Sequence, residues 1–333
     1  MTEAIIKAIN LTKKFGSLVA VDHVNFEVKK GEIFGFLGPN GAGKTTTINM
    51  LTTILKPTEG TAIVNGYEIT KEDSKVRKSI GVVHQTYTAD EDLTGYENMM
   101  LMASLYGIPK DLAKKRIEEL VELVELKNAI HRKVETYSGG MRRRLEIAMG
   151  LINRPAILFL DEPTLGLDVQ TRSAIWSYIL KLKEQYEMTI FMTTHYLEEA
   201  DQYCDRIAII DKGKIVKVGS PKELKESIGG YVVTVQVANN VNLALKLIEN
   251  MEEVKEVKNK GEILRIKIKN AEYFVPEMIE NLSKNGIKVS KISISEPSMD
   301  EVYMEYTGKS LRDEQSSWEE AFVFHRTIQR ARK

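Results

Sequence analysis

The sequence predicts an α/β domain with an all-helical insertion, followed by a small α+β module. Three observations carry that expectation. Gly38-Pro39-Asn40-Gly41-Ala42-Gly43-Lys44-Thr45 fits the phosphate-loop pattern G-x-x-x-x-G-K-[ST] at every fixed position, between the apolar run 33–37 and a helical stretch 46–51. The continuous apolar run 156–160 reads as a central parallel strand covered on both faces, and 188–194 as another buried strand. Beyond Ile228 the order becomes β-α-β-β-α-β, that of a ferredoxin-like module.

The chain has 333 residues, enough for about two domains. Hydrophobic residues make up 43% and charged residues 28%, so a packed core is expected rather than disorder. Lys+Arg and Asp+Glu both number 47; a neutral chain argues against a general nucleic-acid-coating surface, and no nucleic-acid partner is expected. The single cysteine, Cys204, excludes an internal disulfide framework and a Cys-rich zinc site and reads as a small buried thiol. Residues 1–7 lack the charge-then-apolar layout of a secretory signal. No apolar run approaches the ~18 residues of a membrane span, so a membrane role is expected to come through a partner.

Taken in order, residues 5–28 alternate as β-strands with a turn near Gly16-Ser17. Phe15, just before that turn, reads from the local pattern as a core strand residue. The strand–glycine turn–helix unit at 33–51 is an anion site: glycines let the backbone approach phosphates, and the loop N–H groups point inward. Lys44 is placed to reach the β/γ-phosphates and the Thr45 hydroxyl to bind Mg²⁺. Asn65-Gly66 marks a hairpin, and 80–85 is a short strand ending at His84-Gln85. From Gly95 to about Met149 the pattern is helical, with Leu112, Ile117, Leu120, Val121, Val124 and Leu126 at helix-like spacing. Ser138 reads as an N-cap followed by Gly139 and Gly140, a second helix tip suited to an anion. Arg142, Arg143 and Arg144 read as a solvated or partner-facing helix side.

Asp161 and Glu162 close the strand 156–160, at the carboxyl edge where ligands of such sheets bind. That place favours metal binding for Asp161 and water activation for Glu162. Asp168 is a plausible N-cap. His195 ends the next buried strand at the same sheet edge, which favours a functional over a structural role. Residues 206–210 and 214–218 form a hairpin around Asp211-Lys212-Gly213, and Ile228-Gly229-Gly230 marks a boundary. The module beyond it holds no phosphate loop and no nucleophile-plus-base set, so binding or dimerisation is expected of it, with a packing extension the alternative. A polar tail with Trp318, Phe322 and Phe324 follows.

In this order the motifs over residues 1–228 resemble the ATP-binding subunit of an ABC transporter. Residues 38–46 look like its phosphate loop, Gln85 its Q-loop, and Tyr137-Ser138-Gly139-Gly140-Met141 its signature. Residues 157–162 look like the Walker B strand with catalytic glutamate, 165–168 the D-loop, and His195 the switch histidine. Tyr137 and Met141 depart from the commonest signature, LSGGQ. That departure, with the stretch 138–144, the Thr307-Gly308 ending and the small C-terminal domain, resembles the drug-exporter ATPases of the daunorubicin-resistance type.

The resemblance implies a P-loop NTPase: a RecA-like core with an antiparallel β subdomain and a helical insertion at about 95–150. Residues 1–228 would be the ATP-binding domain, 229–306 the ferredoxin-like domain and 307–333 the tail. It implies two subunits head to tail, expected to be a homodimer. Gly38, Pro39, Asn40, Gly41, Ala42, Gly43, Lys44, Thr45 and Thr46 of one chain would hold ATP, capped by Ser138, Gly139 and Gly140 of the other, and Asp168 of the D-loop would also bind nucleotide. Phe15 becomes the adenine-stacking aromatic, which replaces the core reading. Thr45, Gln85 and Asp161 would organise Mg²⁺. Glu162, His195 and Gln85 would serve hydrolysis. A separate transmembrane permease, met near Gln85, would hold the subunit on the cytoplasmic face of the membrane and export a hydrophobic compound, a drug or lipid. Three rivals are a soluble ribosome-associated ABC ATPase, a DNA-associated one, and a non-catalytic nucleotide sensor. One phosphate loop, a short insertion with neutral charge, and the pair Glu162 and His195 argue against them in turn.

Overall fold

The computed structural model describes residues 3–228, 230–268 and 271–309; the expected tail from Ser310, with its aromatic residues, lies outside them. The chain divides into two compact units, meeting at Val218 and Gly219.

In the first unit β1 (Ala4–Phe15) and β2 (Leu18–Lys29) pair antiparallel across the Gly16-Ser17 turn. β3 (Ile33–Leu37) is buried at every position and runs through the phosphate-loop segment into α1 (Lys44–Leu51). β4 (Glu59–Val64) turns into β5 (Tyr67–Glu68) through Asn65 and Gly66, whose φ values of 49° and 81° are those an Asn-Gly hairpin turn demands. α2 (Asp73–Ser79) and β6 (Ile80–Val83) lead to the helical segment: α3 (Gly95–Leu105), α4 (Lys110–Leu123) and α5 (Gly139–Leu151). Then come β7 (Ile157–Asp161), α6 (Val169–Tyr186), β8 (Thr189–Thr194), α7 (Leu197–Tyr203), β9 (Arg206–Asp211) and β10 (Lys214–Gly219).

Among the described residues this unit holds two sheets. One, in the order β2-β1-β4-β5, is antiparallel. The other has the order β10-β9-β3-β8-β7-β6, with β9, β3, β8, β7 and β6 parallel. β3, β7 and β8 are central and buried along their whole length, which is why they are apolar but for the threonines of β8 and the terminal Asp161. Phe26 of β2 packs its ring 5.4–5.9 Å from those of Phe34, Phe36 and Phe191, fastening the antiparallel sheet to the parallel one.

In the insertion Ile117, Leu120, Val121, Val124 and Leu126 are buried as their spacing required, but Leu112 is 41% exposed. Ala113, not Leu112, completes the inward stripe 113-117-120-121; Leu112 is one residue off that face. α5 approaches β6 closely at two glycines: a Cβ on Gly81 would stand 2.0 Å from the Gly150 carbonyl oxygen.

The second unit begins at Gly219, not at 229 as the sequence suggested. Its first helix, α8 (Pro221–Ser227), is held to α11 (Met299–Thr307) by a 2.7 Å hydrogen bond between the Ser227 and Tyr306 hydroxyls. Ile228 and Gly230 therefore lie inside the unit, not at its edge. Between those helices lie β11 (Val232–Val237), α9 (Val241–Glu249), β12 (Val254–Lys260), β13 (Ile263–Ile268), α10 (Ala271–Lys284) and β14 (Val289–Ser295). The sheet order β12-β13-β11-β14, antiparallel throughout, is the ferredoxin-like arrangement. Val233, Val235, Leu264, Ile266, Phe274 and Met278 form its core, while Lys258, Lys260, Arg265 and Lys291 stand exposed on the opposite sheet face.

Gly81→Ala is expected to destabilise the first unit by about 1–3 kcal/mol, because backbone rather than a pliable side chain blocks the new methyl. A denaturant midpoint indistinguishable from wild type would show that β6 and α5 are not in this contact.

Candidate active site

The strand order sets the site. Three adjacent strands, β3, β8 and β7, end at one edge, and each hands over to a residue or loop with chemistry: the glycine loop after Leu37, His195 after Thr194, Glu162 after Asp161. In the loop a Cβ on Gly38 would lie 2.3 Å from the Ile210 carbonyl oxygen, and one on Gly43 2.5 Å from that of Ala20. Gly43 also has φ 104°, so its position is closed to side chains on two counts. It caps α1 without any side-chain hydrogen bond, which leaves the first-turn N–H groups open toward the cleft. That cleft, about 310 Å³, gathers Pro39 to Gly41, Gly43 to Thr46, Gln85 and Glu162, with Ala20 of β2 on its wall.

At its floor runs a buried polar line. Lys44 Nζ donates to the carbonyls of Gly38 (2.8 Å) and Pro39 (3.1 Å) and stands 3.0 Å from Glu162 Oε1. Glu162 Oε2 lies 3.0 Å from His195 Nδ1. Burial alone would drive the Glu162 carboxyl upward; the hydrogen bond from His195 and the Lys44 charge outweigh it, and the group is held at about 2. Burial pushes the Lys44 ammonium down, opposed by the carboxylates of Glu162 and Asp161.

Glu162 has φ 48°, a left-handed backbone that costs a non-glycine residue about 1 kcal/mol or more. The strain is held in place by Thr193, whose carbonyl (3.2 Å) and hydroxyl oxygen (3.1 Å) both accept the Glu162 N–H. The same hydroxyl donates to Asp161 Oδ1 at 2.5 Å. Thr193 thus holds the Asp161 carboxylate and the Glu162 backbone.

The other expected site residues lie outside the cleft. Ser138 caps α5 by accepting from the Met141 N–H at 3.3 Å, as its sequence position suggested. Asp168 caps α6, accepting from the N–H groups of Gln170 and Thr171 at 3.0 Å each. Ser138, Gly139, Gly140 and Asp168 are not among the residues that line the chain's own cleft. Phe15 is 48% exposed at the end of β1, which excludes the core reading; it does not line the cleft either.

Of Arg142, Arg143 and Arg144, expected on a solvated or partner-facing helix side, Arg143 is not on such a side and the other two are only partly exposed. Arg143 is fully buried and donates to the carbonyls of His84 and Gln85; Arg144 donates to Val124 O, and Arg142 pairs with Glu91. Glu146 and Glu199 are buried carboxylates that sequence reading missed. Glu146 accepts from the backbone of Thr88 and Ala89. Glu199 accepts from the hydroxyls of Thr164 and Thr194, behind Glu162 and His195. The one signal for Glu146 is its place three residues after Arg143, beside the buried Ile147 and Gly150.

The Glu162 carboxyl has a folded value below its unfolded one, so its contribution to stability is complete above about pH 4.5 and is lost as the pH falls toward about 2. The melting-temperature difference between wild type and Glu162→Gln should be constant from neutral pH to about 5 and change sharply only below that window. A change centred between pH 6 and 7 would show that the carboxyl is not held low.

Residues 21–165 match the family model described as ABC transporter, and residues 219–307 the model described as ATP-binding protein DrrA1-3-like, C-terminal domain. The linearmycin resistance ATP-binding protein LnrL of Bacillus subtilis is 36% identical over 312 residues, covering 93% of this chain and 100% of that protein. The daunorubicin/doxorubicin resistance ATP-binding protein DrrA of Streptomyces peucetius is 39% identical over 311 residues, 92% of this chain and 94% of that one. Among solved structures, cbiO1 from Clostridium perfringens, part of the ABC transporter complex cbiONQ, is 28% identical with a TM-score of 0.62 over 67% of this chain and 90% of its own. A dimeric ATP-binding cassette in a post-hydrolysis state with ADP and Pi bound is 30% identical with a TM-score of 0.59, over 65% and 98%. No helix among the described residues is long and apolar enough to cross a membrane. Cradle, carboxylate edge, sheet order and likeness over nearly the whole length agree, and the chain belongs to the ABC transporter ATP-binding proteins, as an ATPase of that family.

Proposed function

We propose that the chain hydrolyses ATP as one of two copies bound to a separate membrane permease, on the cytoplasmic face, and drives export of a hydrophobic drug or lipid. The observation that carries the catalytic part is the buried line Lys44–Glu162–His195 at the mouth of an uncapped helix. An anion with several charges fits this cradle: open N–H groups, a helix N-terminus and a lysine converge on one space. The N–H groups of Gly41, Gly43, Lys44, Thr45 and Thr46 and the Lys44 ammonium hold the triphosphate, with Phe15 stacked on the base.

Mg²⁺ bound with the triphosphate would supply neutralisation of charge on the β- and γ-oxygens, and Thr45, Gln85 and Asp161 are the residues to hold it. That oxygen set suits a cation that keeps several of its waters. Among the described residues there is no cluster of three or more His, Cys, Asp or Glu, and a site of this kind does not need one.

Glu162 orients the attacking water. Held at about 2 by its two partners, its carboxylate is a weak base while Lys44 is bound to it. When Lys44 turns to phosphate, one of those partners is withdrawn and the carboxylate becomes more basic. His195 has Nδ1 committed to Glu162 and offers Nε2 to the γ-phosphate. From the partner copy, Ser138, Gly139 and Gly140 bring the N-terminus of α5, and Asp168 its loop, against the same phosphate. ATP is then the joint between the copies and hydrolysis removes it.

The export reading is supported by the resistance proteins to which the chain is similar over more than nine-tenths of its length, and by the match of residues 219–307 to the DrrA1-3-like C-terminal domain. A nucleotide sensor would need neither Glu162 nor His195.

Glu162→Gln should lower ATP turnover about 10²-fold or more while ATP binding persists and a dimer accumulates on a sizing column. Turnover near wild type would remove Glu162 from its role.

A further inference from the structure

Helix α5 carries more than the Ser138 tip. Its inner face holds the loop 84–89, in which Gln85 reaches the cleft. Arg143 and Glu146, one helical turn apart, are 1% and 3% exposed. Arg143 Nη1 donates to His84 O at 2.7 Å and Nη2 to Gln85 O at 3.0 Å. Glu146 Oε1 accepts from the N–H groups of Thr88 (2.6 Å) and Ala89 (2.7 Å), and Oε2 from the Thr88 hydroxyl (2.7 Å). Between these points the Tyr87 ring lies 5.0 Å from the Arg143 guanidinium, and its hydroxyl donates to Gly139 O at 3.3 Å.

The geometry is set by the Gly81–Gly150 contact. From Gly150 back to Arg143 the helix rises about 10.5 Å. From Gly81 on to His84 the strand advances about 10 Å. One close approach at the far end therefore brings Arg143 level with the start of the loop. Two opposite charges are buried here, and both are bonded to loop backbone rather than to each other. A buried charge is stable only when so bonded, and losing one partner is costly, so loop and helix have no cheap way to part.

We infer that Arg143 and Glu146 are positioning residues that make the loop 84–89 and α5 move as one body. The place of Gln85 in a chain's own cleft is then set by the place of its Ser138 tip. On the two-copy reading above, that tip serves the partner's nucleotide, so the pair links the two clefts of the dimer.

The test uses the full chain with Arg143→Lys, Glu146→Gln and both together. Lysine keeps the charge but cannot fork onto two carbonyls. Glutamine keeps the shape but not the charge. Each single variant should lower kcat about tenfold or more with KM for ATP within about twofold, because Gln85 is displaced and the phosphate cradle is not. The double variant should be little worse than either single one. Amide exchange gives a second readout. In wild type, ATP should slow exchange at 84–91 and 138–142 together; in the variants only 138–142 should respond. A lower melting temperature with kcat and the joint response intact would make the pair a mere structural staple and overturn the inference. Glu162→Gln is run alongside: if it binds ATP but stays monomeric, the two-copy reading fails, while the exchange data still decide whether loop and helix move together.

Discussion

A buried ammonium must be surrounded by acceptors, and that requirement orders this site. Lys44 lies at the start of α1, where nothing local except the carbonyls of Gly38 and Pro39 can receive it. Its charged partner, Glu162, comes from the end of β7, a strand that does not touch β3. Only the order β3-β8-β7 puts the two within 3.0 Å, with His195 of the intervening strand completing the line. The parallel sheet is thus a device for bringing three distant pieces of sequence to one edge. Phe26, Phe34, Phe36 and Phe191 keep that sheet rigid from below.

Backbone geometry reinforces the electrostatics. Glu162 sits in a left-handed conformation that only a strong local tether maintains, and Thr193 provides it through two acceptors. Thr193 also holds the Asp161 carboxylate, so a single hydroxyl joins that group to the Glu162 backbone. Behind them Glu199 ties the hydroxyl of Thr164, which follows the Glu162 turn, to that of Thr194, which precedes His195. The buried charges around this site are therefore of two kinds: groups that face the cleft, and groups that hold loops at fixed distances.

How much of this was legible beforehand follows the same division. The phosphate loop, the Asn-Gly turn, the central strands and the β-α-β-β-α-β order were readable because each rests on local pattern: spacing, a turn with positive φ, or an apolar run. The carboxyl edge was readable because residues after buried strands of one sheet must gather there. Arg143 and Glu146 were not, since a run of three arginines on a helix looks solvated unless the loop it faces is known. Leu112 misled because a one-residue error in helical phase moves a side chain off the buried stripe. The division at Gly219 was hidden because glycines at 229–230 are an obvious breaker, whereas the attachment of α8 to α11 joins residues 79 apart in sequence.

The central claim is that ATP lies between the glycine cradle of one copy and the Ser138 tip of another. It is tested most directly by the distance between spin labels on Asn40→Cys in one copy and Met141→Cys in the other. The full Glu162→Gln chain serves as background, its Cys204 being buried and not competing for label. A short inter-copy distance should appear with ATP and vanish without it. Two surfaces that stay far apart throughout, in a chain whose wild type consumes ATP at an ordinary rate, would contradict it.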